Sequence, residues 1–144
     1  MPTTISTKIE NTFVTRMVLG EDILKTIEEI ASKNKISAGQ LSLIGAISKA
    51  TLGYFDRQKK QYRLFSINED LEVVSCMGNI AISENGDYIV HAHMIVADEK
   101  GKCHGGHLME GCEVSVTIEL IINVFEGKLL RAIDADTGLN LLNL

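Results

Sequence analysis

From Leu41 onward the chain is a succession of short apolar runs parted by Gly, Asn and Asp, and no interval between them is long enough for a crossover helix. Parallel neighbours need such a crossover, of roughly a dozen residues or more, whereas antiparallel neighbours need only a hairpin. The pattern therefore restricts the chain to a largely antiparallel sheet. Strands are expected over residues 41–44, 47–55, 62–67, 71–82, 88–97, 112–124 and 128–135, with Asn85-Gly86 as the best hairpin signal. In the run 112–124, Cys112, Val114, Val116, Ile118, Leu120, Ile122 and Val124 share one face, which belongs in a core, and Glu113, Ser115, Thr117 and Glu119 share the other.

One segment reads as a helix. After Gly20, the residues Ile23, Ile27 and Ile30 recur at helical spacing, with Leu24 and Ala31 widening the stripe. Glu21 and Asp22 are expected in its first turn, and Lys33 and Lys35 at its end, where both pairs complement the helix dipole. A stripe of this kind packs on a sheet. The expected class is α/β in the α+β sense, a largely antiparallel sheet with a flanking helix, and no linker or repeat divides residues 1–144 into more than one domain.

Hydrophobic residues make up 45% and charged residues 23% of the chain, values of a folding globular protein. Fourteen Lys and Arg against nineteen Asp and Glu leave a net charge of -5, the wrong sign for coating phosphates. The densest basic stretch, with Arg57, Lys59, Lys60 and Arg63, is a candidate nucleic-acid patch or a solvated hairpin. Cys76, Cys103 and Cys112 are odd in number and lack metal-knuckle spacing, which suits a reduced cytoplasm. No leader pattern and no membrane-length apolar run is present, so no membrane partner is expected.

All four histidines lie in YIVHAHMIVADEKGKCHGGHLMEG. Residues two apart on a strand share a face, so His91 and His93 project side by side. Buried ring nitrogens left without partners would each cost about 1–3 kcal/mol, so a pair like this calls for partners. The chain returns through Gly105-Gly106, whose lack of side chains lets the backbone run close to a neighbour, and can bring in His107. Three neutral imidazoles with an open fourth position suit catalytic zinc, and also nickel, copper or iron. The alternative is a structural cluster bonded to carboxylates and carbonyls in a core or subunit interface.

The stretches MVLGEDILKTIEEI, LIGAISKATLGYFD, LEVVSCMGNIA, HAHMIVADEKGK, GGHLMEGCEVSVTIELII and RAIDADTGLNLL, in this order, resemble the PPC domain, named for plants and prokaryotes. The resemblance implies a small α/β domain, a homotrimer, and a role in DNA binding or transcription. Plant relatives add a minor-groove arm of the Arg-Gly-Arg-Pro type, which is not found in this sequence, where the lone proline is Pro2. The H-x-H strand followed by G-G-H is also similar to the zinc site of acetolactate decarboxylases. That similarity implies His91, His93 and His107 as ligands of a divalent metal, zinc first, with a small anionic keto or hydroxy acid as the possible ligand. Glu119 and Glu72 are candidate general bases, Arg131 a candidate for a substrate carboxylate or a partner of Asp134 or Asp136, and Cys103 and His104 a possible fourth ligand or an exposed turn, the turn being the expectation.

Overall fold

The computed structural model describes residues 2–144, in the order β1 (Ile9–Met17), α1 (Ile23–Lys33), β2 (Gly39–Asp56), β3 (Gln61–Ile67), β4 (Leu71–Ser83), β5 (Tyr88–Ala97), β6 (Cys103–Leu108), β7 (Glu113–Phe125), β8 (Leu130–Ile133) and β9 (Asn140–Asn143). The helix forms where its stripe predicts, with Ile23, Ile27 and Ala31 buried and Leu24 and Ile30 packed at the margin. Its acidic pair lies one position earlier than expected. Asp22 is the N-cap, accepting the Lys25 N–H at 3.1 Å and the Gly111 N–H at 2.7 Å, and Glu21 accepts the Val18 N–H at 2.7 Å. Lys33 holds the last turn, while Lys35 lies beyond it in the left-handed region, at φ 55°.

The spine of the sheet is β2, flanked by β7 along one edge and by β4 along the other. Strand β4 pairs with β5, β5 with β6, and β6 returns to β2 at Leu52 and Gly53, so these four strands close on themselves. Strand β1 extends the sheet beyond β7, β3 pairs with the second half of β2, and β8 and β9 follow β4. Every pairing is antiparallel except β4 with β8. The α/β label is thus loose: the molecule is chiefly a mixed, mostly antiparallel sheet, with one helix of 11 residues among the described residues. Among the described residues, no helix is long and apolar enough to cross a membrane.

Two expected strands, 41–44 and 47–55, are one. Gly45, at φ 148°, carries the chain through a bulge, and a Cβ there would stand 2.0 Å from the Thr117 carbonyl oxygen. Across from it, Gly45 pairs with Ile118 and Ile47 with Val114, so Ala46 alone stands against Ser115, Val116 and Thr117. That mismatch turns Val116 outward, 71% exposed, whereas strict alternation puts it in the core with Val114, Ile118, Leu120 and Ile122. Strands β1, β6 and β9 are not among the expected set, and the expected strand 128–135 is shortened to β8.

In β5 the core takes Val90, Ala92, Met94 and Val96. Burying each of the larger of these contributes roughly 1.5–3 kcal/mol, which fixes the register. His91, His93 and Ile95 are therefore on the outer face, and the histidines are not core residues.

Candidate metal centre

His107 reaches the other two through strand pairing, for it stands directly opposite His93 in the β5–β6 register. The glycines around it make the close approach possible. A Cβ on Gly106 would lie 2.9 Å from the Gly53 carbonyl oxygen, and one on Gly78 would lie 2.1 Å from the carbonyl oxygen of His91. Behind the histidines the strands touch at contacts that no side chain would allow.

The three rings offer nitrogens that all lie within 4.8 Å of one another. His91 Nε2 and His93 Nε2 are 3.3 Å apart. Two corners of a tetrahedral site with zinc–nitrogen bonds near 2.0–2.1 Å stand about 3.3 Å apart, so this pair already has the spacing and the two pairs with His107 lie within 4.8 Å. Burial, and after it the His91 and His93 rings, push the His107 imidazole down to about 4. Burial first, then Arg131 and His93, hold His91 below the ordinary imidazole value. Both rings are thus neutral at pH 7, the form that binds a metal.

Two further side chains close the site, and neither is adjacent in sequence. Tyr62, from β3, places its hydroxyl 3.3 Å from His107 Nδ1 and its ring 4.6 Å from the imidazole centre. Arg131, from β8, is 4% exposed and donates to Asn79 Oδ1 at 2.7 Å and to the Asn140 carbonyl at 2.8 Å. Its Nη2 also lies 3.4 Å from His91 Nδ1. Together with Leu139 and Leu141 these residues wall a cleft of about 250 Å³ against His91 and His107. Arg131 is not paired with Asp134, which instead accepts from Thr137 at 2.6 Å. Tyr62 is absent from the sequence reading because nothing near it marks it as part of a site.

The other candidates lie elsewhere. Glu119 is exposed on β7, opposite Ile44 and Arg16, in a shallow hollow with Met77 and Ile121. Glu72 borders an acidic hollow of about 430 Å³ with Asp70, Asp98 and Glu99. Neither lines the histidine cleft. Cys103 and His104 open strand β6 opposite Ala97 and Val96, so they are not the expected turn, and neither belongs to the histidine group. Arg57, Lys59 and Lys60 sit at the exposed β2–β3 turn, while Arg63 pairs with Asp56 at 3.4 Å and covers the Tyr54 ring at 5.3 Å.

A model of the Plants and Prokaryotes Conserved domain matches residues 4–126. The chain belongs to that family. Among solved members of similar fold, a metal-containing protein of Archaeoglobus fulgidus is 30% identical, with a TM-score of 0.90 over 99% of this chain and 100% of that one. A Bacteroides thetaiotaomicron protein, described provisionally as DNA-binding, is 26% identical, with a TM-score of 0.87 over 96% of each chain. A Synechococcus bifunctional protein GlmU is 34% identical over 125 residues, and this chain spans 19% of its length. The fold alone is shared with acetolactate decarboxylase of Bacillus subtilis, at 16% identity and a TM-score of 0.55, over 94% of this chain and 61% of that one. The family match ends before β8 and β9, so Arg131, Leu139 and Leu141 lie beyond the matched residues.

Proposed function

We propose that this PPC-domain protein binds one divalent metal ion per chain, zinc first, through His91, His93 and His107. The three imidazoles would hold the ion, which when bound would supply Lewis acidity toward a small keto or hydroxy acid. The observation that carries this is the convergence of three imidazoles on an outer face beside an open cleft, with no carboxylate tying them into a closed cluster. The metal-containing relative from Archaeoglobus supports it. Calorimetric titration of zinc into chelator-treated protein should give one site per chain, with affinity falling as pH falls because protons compete for the ligands. Since His107 is held to about 4 and His91 is also lowered, the fall between pH 7.5 and 5.5 should be shallower than for three ordinary imidazoles near ~6.5. Absence of zinc uptake at neutral pH refutes the proposal.

A DNA-binding role is the second reading, and the provisional description of the Bacteroides relative favours it. The net charge of -5 and the engagement of Arg63 with Asp56 weigh against it. In either reading we propose a homotrimer as the working form. Ile44, Val74, Met77 and Ile95 are exposed on the outer face, 47–56% accessible, and a neighbouring subunit would cover them. Light scattering at micromolar concentration should give three times the 15.8 kDa chain mass, and a monomer would remove the argument.

A further inference from the structure

We infer that the C-terminal hairpin β8–β9 supplies the anion-recognition element of the histidine site, with Arg131 binding the carboxylate of a 2-oxo or 2-hydroxy acid. This rests on the metal reading above and names the part of the ligand that the metal would not hold.

Arg131 is almost completely buried, at 4% exposure, yet the ion pairs among the described residues are Lys25 with Glu110 and Asp56 with Arg63. A buried guanidinium without a counter-charge is costly, and the usual remedy is an anion. Its Nε–H also has no acceptor. That orphaned donor leaves the guanidinium short of acceptors, although the nitrogen itself is closed off from the cleft, so a ligand would meet the terminal nitrogens. The guanidinium lines the same cleft as His91 and His107, and its Nη2 stands 3.4 Å from His91 Nδ1. A guanidinium can only donate, so this contact needs Nδ1 as an acceptor. If His91 gives Nε2 to a metal, its ring hydrogen moves to Nδ1, which can then no longer accept, so that contact is lost and Nη2 gains a free donor. The metal and the carboxylate should therefore bind cooperatively. Leu139 and Leu141 give the cleft an apolar wall, which suits a short carbon chain better than a free inorganic anion.

The deciding experiment uses Asn79→Asp. Asn79 Oδ1 already accepts from Arg131 at 2.7 Å, so an isosteric carboxylate keeps that bond and supplies the missing counter-charge from within. Pyruvate, lactate and uncharged hydroxyacetone are titrated calorimetrically into zinc-loaded wild type, Asn79→Asp and Arg131→Lys, with the zinc content of each sample measured alongside. Wild type should bind pyruvate and lactate at least tenfold more tightly than hydroxyacetone. Asn79→Asp should lose that preference with its zinc content unchanged, and Arg131→Lys should weaken both acids. Pyruvate binding that is absent from zinc-loaded wild type, equal in wild type and Asn79→Asp, or no tighter than that of hydroxyacetone overturns the role of Arg131 alone. Wild type that takes up no zinc overturns the metal reading instead.

Discussion

Alanine in place of His91, His93 or His107 should each lower zinc affinity by at least about a hundredfold. Even removing a group that stands behind a ligand typically costs ten- to a hundredfold, and these substitutions remove the ligand itself. His104→Ala should leave the affinity unchanged, because His104 lies opposite Val96 and outside the group of converging rings. Tyr62→Phe, which deletes only the hydroxyl 3.3 Å from His107, should fall between, within about tenfold of wild type. Competitive titration against a chromophoric chelator reads these values, and circular dichroism confirms that each variant is folded. Equal affinity in wild type and His107→Ala would show that the pairing of β5 with β6 does not build the site.

Gly78→Ala should be strongly destabilising, because it adds a methyl where β4 and β5 touch behind the histidines. Its Cβ would fall 2.1 Å from the His91 carbonyl oxygen and 2.6 Å from the Ala92 Cα, both backbone atoms of a central strand that cannot turn aside. Overpacking of this kind costs about 3 kcal/mol or more, and for a chain of this size each kcal/mol lowers the melting temperature by roughly 2–4 °C. A loss of about 6–12 °C is expected, with weakened zinc binding, since the strand that must move carries His91. Gly86→Ala is the control: nothing lies within 4 Å of its Cβ, and at φ 87° it meets only the local strain of a left-handed residue, about 1 kcal/mol. Thermal melts that rank the two substitutions the other way would contradict the packing behind β5.

The parts of the site that share a strand were legible in the sequence. His91 and His93 announce themselves by period two, and Gly105-Gly106 marks the close return that delivers His107. Tyr62 and Arg131 were not legible as a pair with them, because they arrive on β3 and β8 through sheet order, which no local pattern encodes. Arg131 was equally compatible with Asp134 or Asp136, and Asn79 and the Asn140 carbonyl decide against both. The helix stripe and most strand segments follow from periodicity. Two of the failures have one physical cause: Gly45 reads as a break but carries a bulge, and the same bulge turns Val116 out of the alternation it otherwise keeps. Strand β1 escapes notice because Asn11 and Thr15 dilute the face it shares with Phe13 and Met17, and its place is fixed by pairing with β7.

The central claim is that His91, His93 and His107 hold a metal in the working protein. Its most direct test is elemental analysis of protein purified without a histidine tag and without added metal. The account predicts about one divalent ion per chain, zinc foremost, retained through gel filtration and reduced to background in the triple alanine variant. Protein that is folded and trimeric yet holds less than a tenth of an equivalent of any transition metal, before and after incubation with zinc, would contradict it.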